Sequence, residues 1–189
     1  MPKLLIQMSG APGAGKSSIA RLLRPRIHAV IIDHDVLRSS LLESSVMSFD
    51  HAAREAYSLQ WKLAQDFMEQ GLNVIVDSTC NYPEVLDRGS ALASGHGYAY
   101  WYVECRVRDV QLLDRRLRAR EPKLSQRTAV DCPPAAAGTA RAEQDSYALF
   151  NHWIDNPCRP AHNAVIVDSR GSQELLRDHI LKQIVGESS

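Results

Sequence analysis

The segment SGAPGAGKSS, residues 9–18, combines glycines, a lysine and serines in a spacing suited to binding phosphate. Gly10, Gly15, Lys16 and Ser17 fit the pattern G-x-x-x-x-G-K-[ST], the P-loop. In such a loop, backbone N–H groups converge on phosphate oxygens at the positive end of a helix. Lys16 is predicted to act in catalysis by reaching the β- and γ-phosphates, and the Ser17 hydroxyl to bind Mg²⁺. The residues predicted to bind ATP are Gly10, Ala11, Pro12, Gly13, Ala14, Gly15, Lys16, Ser17 and Ser18.

A second polar cluster, IIDHDVLRSS, spans residues 31–40. Asp35 is predicted to be a general base that accepts the proton of an attacking hydroxyl group in phosphoryl transfer. Arg38 follows one helical turn later and is predicted to bind an anionic group of the substrate or to order Asp35. The alternative is that Asp35 only caps the next helix, and for Asp33 and His34 such a structural role is favoured.

A third carboxylate, Asp77, ends the apolar segment NVIVDST, residues 73–79. At the end of a strand beside a P-loop, a carboxylate can hold Mg²⁺ through water or orient the substrate. We therefore predict that Asp77 contributes to the metal site, together with Ser17, and to the substrate site. Its alternative role is to cap the segment that begins near Asn81.

A fourth cluster consists of the arginines in the segment RRLRAR, residues 115–120. Arg116 and Arg120 lie four residues apart and therefore share one face of a predicted helix. Both are predicted to act in catalysis by neutralising charge on the transferred phosphoryl group. The alternative is a solvated face whose charges pair locally, for example Asp114 with Arg118.

The arginines lead into a long segment, residues 121–140, rich in proline, alanine and small polar residues. It also carries Lys123 and Arg127. A loop of this length is usually a functional lid or a disordered segment. We predict that residues 115–140 form a lid that closes over the nucleotide.

Short apolar segments alternate with longer amphipathic ones along the chain, which indicates right-handed crossovers between parallel strands. The predicted fold is an α/β P-loop NTPase fold with a five-stranded, mostly parallel sheet and helices on both faces. Residues 1–189 are predicted to form a single domain. The predicted strands are 3–9, 29–33, 73–78, 98–107 and 163–169, and the predicted helices are 16–26, 36–43, 52–70, 109–121 and one after residue 169.

Composition narrows the classes of function. The 189 residues include 22 Lys and Arg and 22 Asp and Glu, whereas a protein that grips long nucleic acid usually carries a basic excess. The four cysteines lack CxxC spacing and the seven histidines are scattered, so no metal site beyond Mg²⁺ is expected. No apolar run approaches the length of a membrane span, so we expect a cytoplasmic protein without a membrane partner.

The three tryptophans and the segment that contains Arg159 are predicted to have structural roles. Trp61, Trp101 and Trp153 are predicted to lie in the core or in pocket walls. The segment NPCRPAHN, residues 156–163, is predicted to be a turn before the last strand. This interpretation is preferred to an approach of Arg159 to the adenine.

Taken together, the motifs SGAPGAGKSS, IDHDVLR, VIVDST and RRLRAR resemble the small P-loop kinases of the AAA_33 type. That group is similar to polynucleotide 5′-hydroxyl kinase domains, chloramphenicol phosphotransferase and zeta-toxin-like kinases. The resemblance covers residues 3–127 by ordered motifs. It implies ATP·Mg²⁺ at Lys16 and Ser17, Asp35 as the general base with Asp77 in support, Arg38 at the acceptor, and Arg116 and Arg120 as lid arginines.

The residues and the resemblance predict an ATP- and Mg²⁺-dependent phosphotransferase that moves the γ-phosphate to a hydroxyl group of a small molecule. Two alternatives stay open. One is a polynucleotide 5′-hydroxyl kinase, which the neutral net charge of the chain disfavours. The other is a nucleotide-binding regulatory module that has no acceptor. No oligomeric state is predicted.

Overall fold

The computed structural model describes residues 2–44, 47–138 and 145–186. A five-stranded sheet forms the centre of the fold. Its strands are β1 (Leu4–Ser9), β2 (Ala29–Asp33), β3 (Asn73–Asp77), β4 (Ala99–Arg106) and β5 (Ala164–Asp168). Their order across the sheet is β2-β3-β1-β4-β5, and all of the strand pairs are parallel, which confirms the predicted sheet.

Seven α-helices are found in the described part of the chain. None of the helices in residues 2–44, 47–138 and 145–186 is both long enough and apolar enough to cross a membrane. The helices are α1 (Lys16–Leu23), α2 (His34–Glu43), α3 (Phe49–Glu69), α4 (Pro83–Gly95), α5 (Val110–Arg118), α6 (Ser146–Asp155) and α7 (Gln173–Val185).

Helices cover both faces of the sheet, as predicted. Side chains alternate between the faces of a strand, so Leu4 and Ile6 of β1 belong to one apolar cluster and Leu5 to another. The first cluster includes side chains of α1, α5, α6 and α7, and the second includes side chains of α3 and α4. The central strand β1 is therefore buried on both faces, which explains why apolar residues predominate in its sequence, LLIQMS.

The apolar pattern placed several helix boundaries a few residues from where the structure has them. Local capping and proline explain these differences. Helix α2 begins at His34 because the Asp33 carboxylate accepts hydrogen bonds from the N–H groups of Asp35 and Val36. Ser48 caps α3 in the same way. Pro25 follows α1, where the chain continues as a short 3₁₀ turn, residues 24–26, instead of as α-helix.

Two helices, α4 and α6, were not in the sequence prediction. Helix α4 contains Gly89, and a Cβ atom there would lie 2.7 Å from the ring of Tyr100. Glycine lowers helix propensity, so the requirement for close packing weakens the local helical pattern. Helix α6 has only ten residues, and its buried side chains are Ser146, Phe150 and Ile154, a short repeat for a helical pattern.

The carboxyl ends of β1, β2 and β3 lie at one edge of the sheet. Strand β1 ends at Ser9, where the P-loop begins, and Asp33 at the end of β2 is in register with Asp77 at the end of β3. Ligands of open parallel sheets bind outside this edge. The topology therefore brings the first three predicted clusters together.

Candidate active site

At Gly10, the first glycine of the P-loop, the backbone adopts a conformation that only glycine can adopt without a clash. Gly10 has a φ of +129°, and a Cβ atom there would lie 2.2 Å from the carbonyl oxygen of Cys105. Gly15 has a φ of +96° and occupies the N-cap position of α1. The loop thus delivers the chain into the N-terminus of α1, where N–H groups have no partners within the helix.

We expect Gly10→Ala to lower the free energy of unfolding by about 3 kcal/mol, because the new methyl group collides with backbone rather than with a flexible side chain. Thermal unfolding tests this, with a fall in Tm of about 6–12 °C. Gly171→Ala is the control, since a Cβ atom at Gly171 meets nothing within 4 Å. Equal Tm values for the two variants would contradict the account.

Lys16 lies folded against its own loop. Its Nζ donates hydrogen bonds to the carbonyl oxygens of Gly10 at 2.8 Å and of Ala11 at 3.1 Å. Burial lowers the pKa of Lys16, and the nearby carboxylates of Asp77 and Asp35 oppose that shift. The ammonium group is therefore held by carbonyl groups that an anionic ligand can replace.

Asp77 and Ser17 meet at the base of the site. The Ser17 hydroxyl lies close enough to the buried Asp77 carboxylate to influence its pKa. Burial raises the pKa of Asp77, while Ser17 and the charge of Lys16 lower it. A buried carboxylate and a hydroxyl are hard oxygen donors of the kind that Mg²⁺ uses, so these two residues fit the predicted metal site. The alternative role for Asp77 is not seen, because α4 has no side-chain cap.

Within the described residues, no group of three or more His, Cys, Asp and Glu side chains is arranged to hold a metal ion. Mg²⁺ commonly binds through one or two protein oxygens together with phosphates and water. The pair formed by Ser17 and Asp77 is therefore adequate for a nucleotide-bound magnesium ion.

Asp35 is not the cap of α2, since Asp33 takes that role. One carboxylate oxygen of Asp35, Oδ2, accepts a hydrogen bond from Gln126 Nε2 at 2.7 Å. The other, Oδ1, lies 3.2 Å from the Ser125 hydroxyl. Burial raises the pKa of Asp35, but Gln126, His34 and the other polar neighbours outweigh it, so the pKa lies below its ordinary value. The group is thus a carboxylate at neutral pH.

Arg38 is held on the wall of the site. Its guanidinium group lies 3.7 Å from the centre of the Phe49 ring, and its Nη2 donates to the Phe49 carbonyl oxygen at 3.0 Å. This stacking fixes the side chain on α2 against the start of α3. An arginine held in this way offers a rigid positive charge to an anionic group.

The structure separates the four arginines of the segment RRLRAR into two pairs. Arg116 and Arg120 line the same cavity as the P-loop. Arg116 donates to the Ser169 carbonyl oxygen at 3.0 Å, and Arg120 to the Arg127 carbonyl oxygen at 3.2 Å. The other two arginines are exposed.

The ion pair between Asp114 and Arg118, which was the alternative to a catalytic role for the arginines, does form. It lies on the exposed face of α5. Arg118 Nε lies 2.7 Å from Asp114 Oδ2, and its Nη2 lies 2.9 Å from Asp131 Oδ1. Asp114 also accepts from the N–H of Val130 at 2.8 Å. These bonds join residues 130–131 of the predicted lid to α5, while residues 139–140 of that lid lie outside the described residues.

One cavity of about 1120 Å³ is lined by all four predicted clusters. Small-molecule sites usually enclose about 300–1,000 Å³, so this cavity has room for two ligands. Aromatic side chains that the sequence did not assign to the site form part of its far wall, among them Phe49, Tyr57 and Tyr82. Tyr57 packs on the ring of His34, which is itself buried and hydrogen-bonded to Gln60.

Arg159 is not among the described residues that line the cavity. Its guanidinium group makes two hydrogen bonds to the Glu104 carboxylate, at 2.6 and 2.8 Å. Glu104 is 2% exposed, and the Tyr102 hydroxyl donates to it at 3.2 Å. The structural role predicted for Arg159 therefore agrees with its position.

Removing this arginine leaves a buried carboxylate with one fewer partner. We expect Arg159→Ala to lower the free energy of unfolding by about 2 kcal/mol, with nucleotide affinity unchanged. Chemical denaturation and nucleotide titration measure the two quantities. Arg170→Ala removes an exposed pair with Asp168 and is expected to have little effect on stability. A weakened nucleotide affinity in Arg159→Ala would contradict the structural role.

Comparison with known proteins agrees with this architecture. The family model AAA_33, described as an AAA domain, matches residues 5–145. None of the curated proteins matches the chain. Solved structures of similar fold include the APS kinase CysC of Mycobacterium tuberculosis in complex with AMPPNP and APS. It is 19% identical, with 98% of this chain and 99% of that chain covered and a TM-score of 0.64.

Two further solved structures share the fold. A suspected kinase of Chloroflexus aurantiacus is 14% identical, with 99% of this chain and 98% of that chain covered and a TM-score of 0.73. An unliganded sugar kinase of Janibacter sp. HTCC2649 is 12% identical, with 99% and 96% covered and a TM-score of 0.65. At these identities the likeness concerns the fold, which is the predicted P-loop NTPase fold.

Proposed function

The chain belongs to the AAA_33 family, and from that premise we propose that it is an ATP- and Mg²⁺-dependent kinase of a small hydroxyl compound. The main observation in support is that Lys16 of the P-loop and Asp35 line the same cavity. A phosphate group at the loop and a hydroxyl group beside Asp35 would then react within one site. A protein of the same fold has been solved with AMPPNP and APS bound, which is in keeping with two ligands in such a cavity.

The nucleotide would bind along the P-loop and α1. Its phosphates would replace the carbonyl groups of Gly10 and Ala11 as partners of the Lys16 ammonium group. Free N–H groups at the start of α1 would bind the same phosphates. In bound form, Mg²⁺ would be held by Ser17 and Asp77 and would neutralise charge on the β- and γ-phosphates.

The acceptor would occupy the side of the cavity formed by α2, α3 and the segment after β3. The Asp35 carboxylate would accept the proton of its hydroxyl group as the oxygen attacks the γ-phosphorus. A pKa below the ordinary value keeps Asp35 ionised and ready to accept. Arg38, stacked on Phe49, would bind a polar or anionic group of the acceptor.

The lid would complete the site around the transferred group. Arg116 and Arg120 line the cavity from the side of α5 and would neutralise negative charge that develops during transfer. We propose that residues 115–140 close over the nucleotide as part of the same domain that carries the sheet.

The test is ADP release from Mg·ATP by the purified protein. One set of reactions contains a library of hydroxyl-bearing metabolites, and a separate reaction contains a 5′-hydroxyl oligonucleotide. We expect at least one small molecule to raise ADP release, with the phosphate recovered as its ester by mass spectrometry. Lys16→Ala, run in parallel, controls for contaminating kinases.

The other outcomes favour other functions. Stimulation by the oligonucleotide alone would favour a polynucleotide 5′-hydroxyl kinase, and its rate would fall steeply with salt. Tight ATP binding with no stimulation by any acceptor would favour a regulatory module. Either result would overturn the proposal of a small-molecule kinase.

A further inference from the structure

The lid holds the carboxylate of the proposed general base. Asp35 lies on α2, whereas its two hydrogen-bond donors, Ser125 and Gln126, belong to the segment after α5. Gln126 Nε2 donates to Asp35 Oδ2 at 2.7 Å, the short end of the range for such bonds. The Ser125 hydroxyl lies 3.2 Å from Asp35 Oδ1 and equally far from the Asp35 carbonyl oxygen, so it can donate to either.

A tight turn fixes which end of the Gln126 amide faces Asp35. The Gln126 Oε1 accepts a hydrogen bond from the N–H of Lys123 at 3.2 Å, and the Gln126 N–H donates to the Lys123 carbonyl oxygen at 2.9 Å. Because the amide oxygen is used within the turn, the NH₂ end is directed to the carboxylate. The donor is thus oriented before any ligand binds.

The turn is also anchored to α2 independently of Asp35. Ser125 is 5% exposed, and its N–H donates to the Ser39 hydroxyl at 3.1 Å. Lys123 Nζ lies 3.2 Å from Oδ2 of Asp33, the capping residue of α2. Contacts on both sides of the Gln126–Asp35 bond therefore hold the turn against the helix.

The chemistry of these donors suits a supporting function. A glutamine amide and a serine hydroxyl do not take up a proton at neutral pH, so neither competes with Asp35 as a base. Each carboxylate oxygen can accept a second hydrogen bond, which leaves capacity for a hydroxyl group of the acceptor. A carboxylate held from one side can present its remaining lone pairs in a fixed direction.

We propose that Gln126, supported by Ser125, is a positioning residue that orients the Asp35 carboxylate toward the acceptor hydroxyl. This inference rests on the proposed function, because it assigns Asp35 the role of base. It adds that the orientation of the base is set by the lid rather than by α2 alone.

The test compares steady-state kinetics of wild type and Gln126→Ala with the acceptor identified by ADP release. We expect kcat to fall about ten- to a hundredfold, since the bond to a charged group is lost and the base is misaligned. The KM for ATP should stay within about twofold, because the hydrogen bonds described for Gln126 go to Asp35 and Lys123 and not to the P-loop. Gln126→Glu retains the size but places a second carboxylate beside Asp35, so its loss of kcat should exceed that of Gln126→Ala.

Gln70→Ala is a matched control. Gln70 Nε2 donates to Asp66 Oδ2 at 2.7 Å, the same bond at the same distance, but on the exposed end of α3. We expect this variant to leave kcat unchanged. A similar fall of kcat in Gln70→Ala and Gln126→Ala would overturn the inference.

A double-mutant cycle separates the inference from the proposed function. If Gln126 acts through Asp35, Gln126→Ala should have no further effect on the residual activity of Asp35→Asn. If the losses of kcat in Gln126→Ala and Asp35→Asn were fully additive, the inference about Gln126 would be overturned. Asp35 would keep its role as the general base. An unchanged kcat in Asp35→Asn would overturn the role of Asp35, and with it both claims.

The contact itself can be measured without an acceptor. In ¹H–¹⁵N spectra, the side-chain NH₂ signals of Gln126, assigned by their loss in Gln126→Ala, should shift when Asp35 is replaced by alanine. Unchanged signals would show that the bond does not form in solution and would overturn the inference.

Discussion

Lys16→Ala is expected to abolish phosphoryl transfer and to weaken ATP binding. Lys16 is the fixed positive charge of the P-loop, and its ammonium group lies among carbonyl oxygens that phosphates would replace. Alanine supplies no charge to the β- and γ-phosphates in either the ground state or the transition state. We therefore expect kcat/KM to fall by about 10³ or more, corresponding to about 4 kcal/mol of lost transition-state binding.

Acceptor-dependent ADP release gives the rate, and titration with a fluorescent ATP analogue gives the affinity. Lys62→Ala is the matched control, because Lys62 is exposed on α3 and is not among the described residues that line the cavity. Thermal unfolding of both variants checks that the fold is retained. A kcat/KM within about tenfold of wild type in Lys16→Ala would contradict the P-loop mechanism.

Asp35→Asn is expected to remove transfer while leaving ATP binding intact. Asparagine has nearly the shape of aspartate and can still accept a hydrogen bond from Gln126 through its amide oxygen. It lacks the basicity needed to accept the acceptor's proton, so only the chemical step is affected. The expected fall in kcat is about 10²–10⁴, with the ATP dissociation constant within about twofold of wild type.

Single-turnover transfer measures the chemical step, and calorimetric titration measures ATP affinity. Asp87→Asn, at an exposed position of α4 outside the cavity lining of the described residues, is expected to behave as wild type. A second comparison is Asp33→Ala, which removes the side-chain cap of α2 and is expected to lower thermal stability. If Asp35→Asn transferred phosphate at the wild-type rate, Asp35 would have no part in proton removal.

The sequence alone was sufficient for the features that depend on neighbours along the chain. The P-loop is one contiguous motif between an apolar strand and a helix, and its glycines are found at positions with positive φ. The five strands were recognisable because each is a short apolar run, and β1 and β3 are buried along their whole length. The parallel order followed from the length of the crossovers, which is too great for hairpins.

Long-range packing decided which candidate residues face the cavity. Asp33 and Asp35 are two residues apart and chemically identical, yet one caps α2 and the other meets a turn that lies some 90 residues later in the chain. Arg116 and Arg118 have the same side chain, but the packing of α5 directs the first into the cavity and leaves the second in an exposed ion pair. No local pattern distinguishes the members of either pair.

The sequence by itself therefore determined the phosphate-binding loop, the fold class and the sheet edge at which the carboxylates gather. Only the tertiary structure decided that Ser125 and Gln126 contact Asp35, that Phe49 supports Arg38, and that Arg159 pairs with Glu104. The physical reason is that backbone conformation and apolar periodicity are properties of short segments. Hydrogen bonds between distant segments form only when the packing of the whole chain has brought them together.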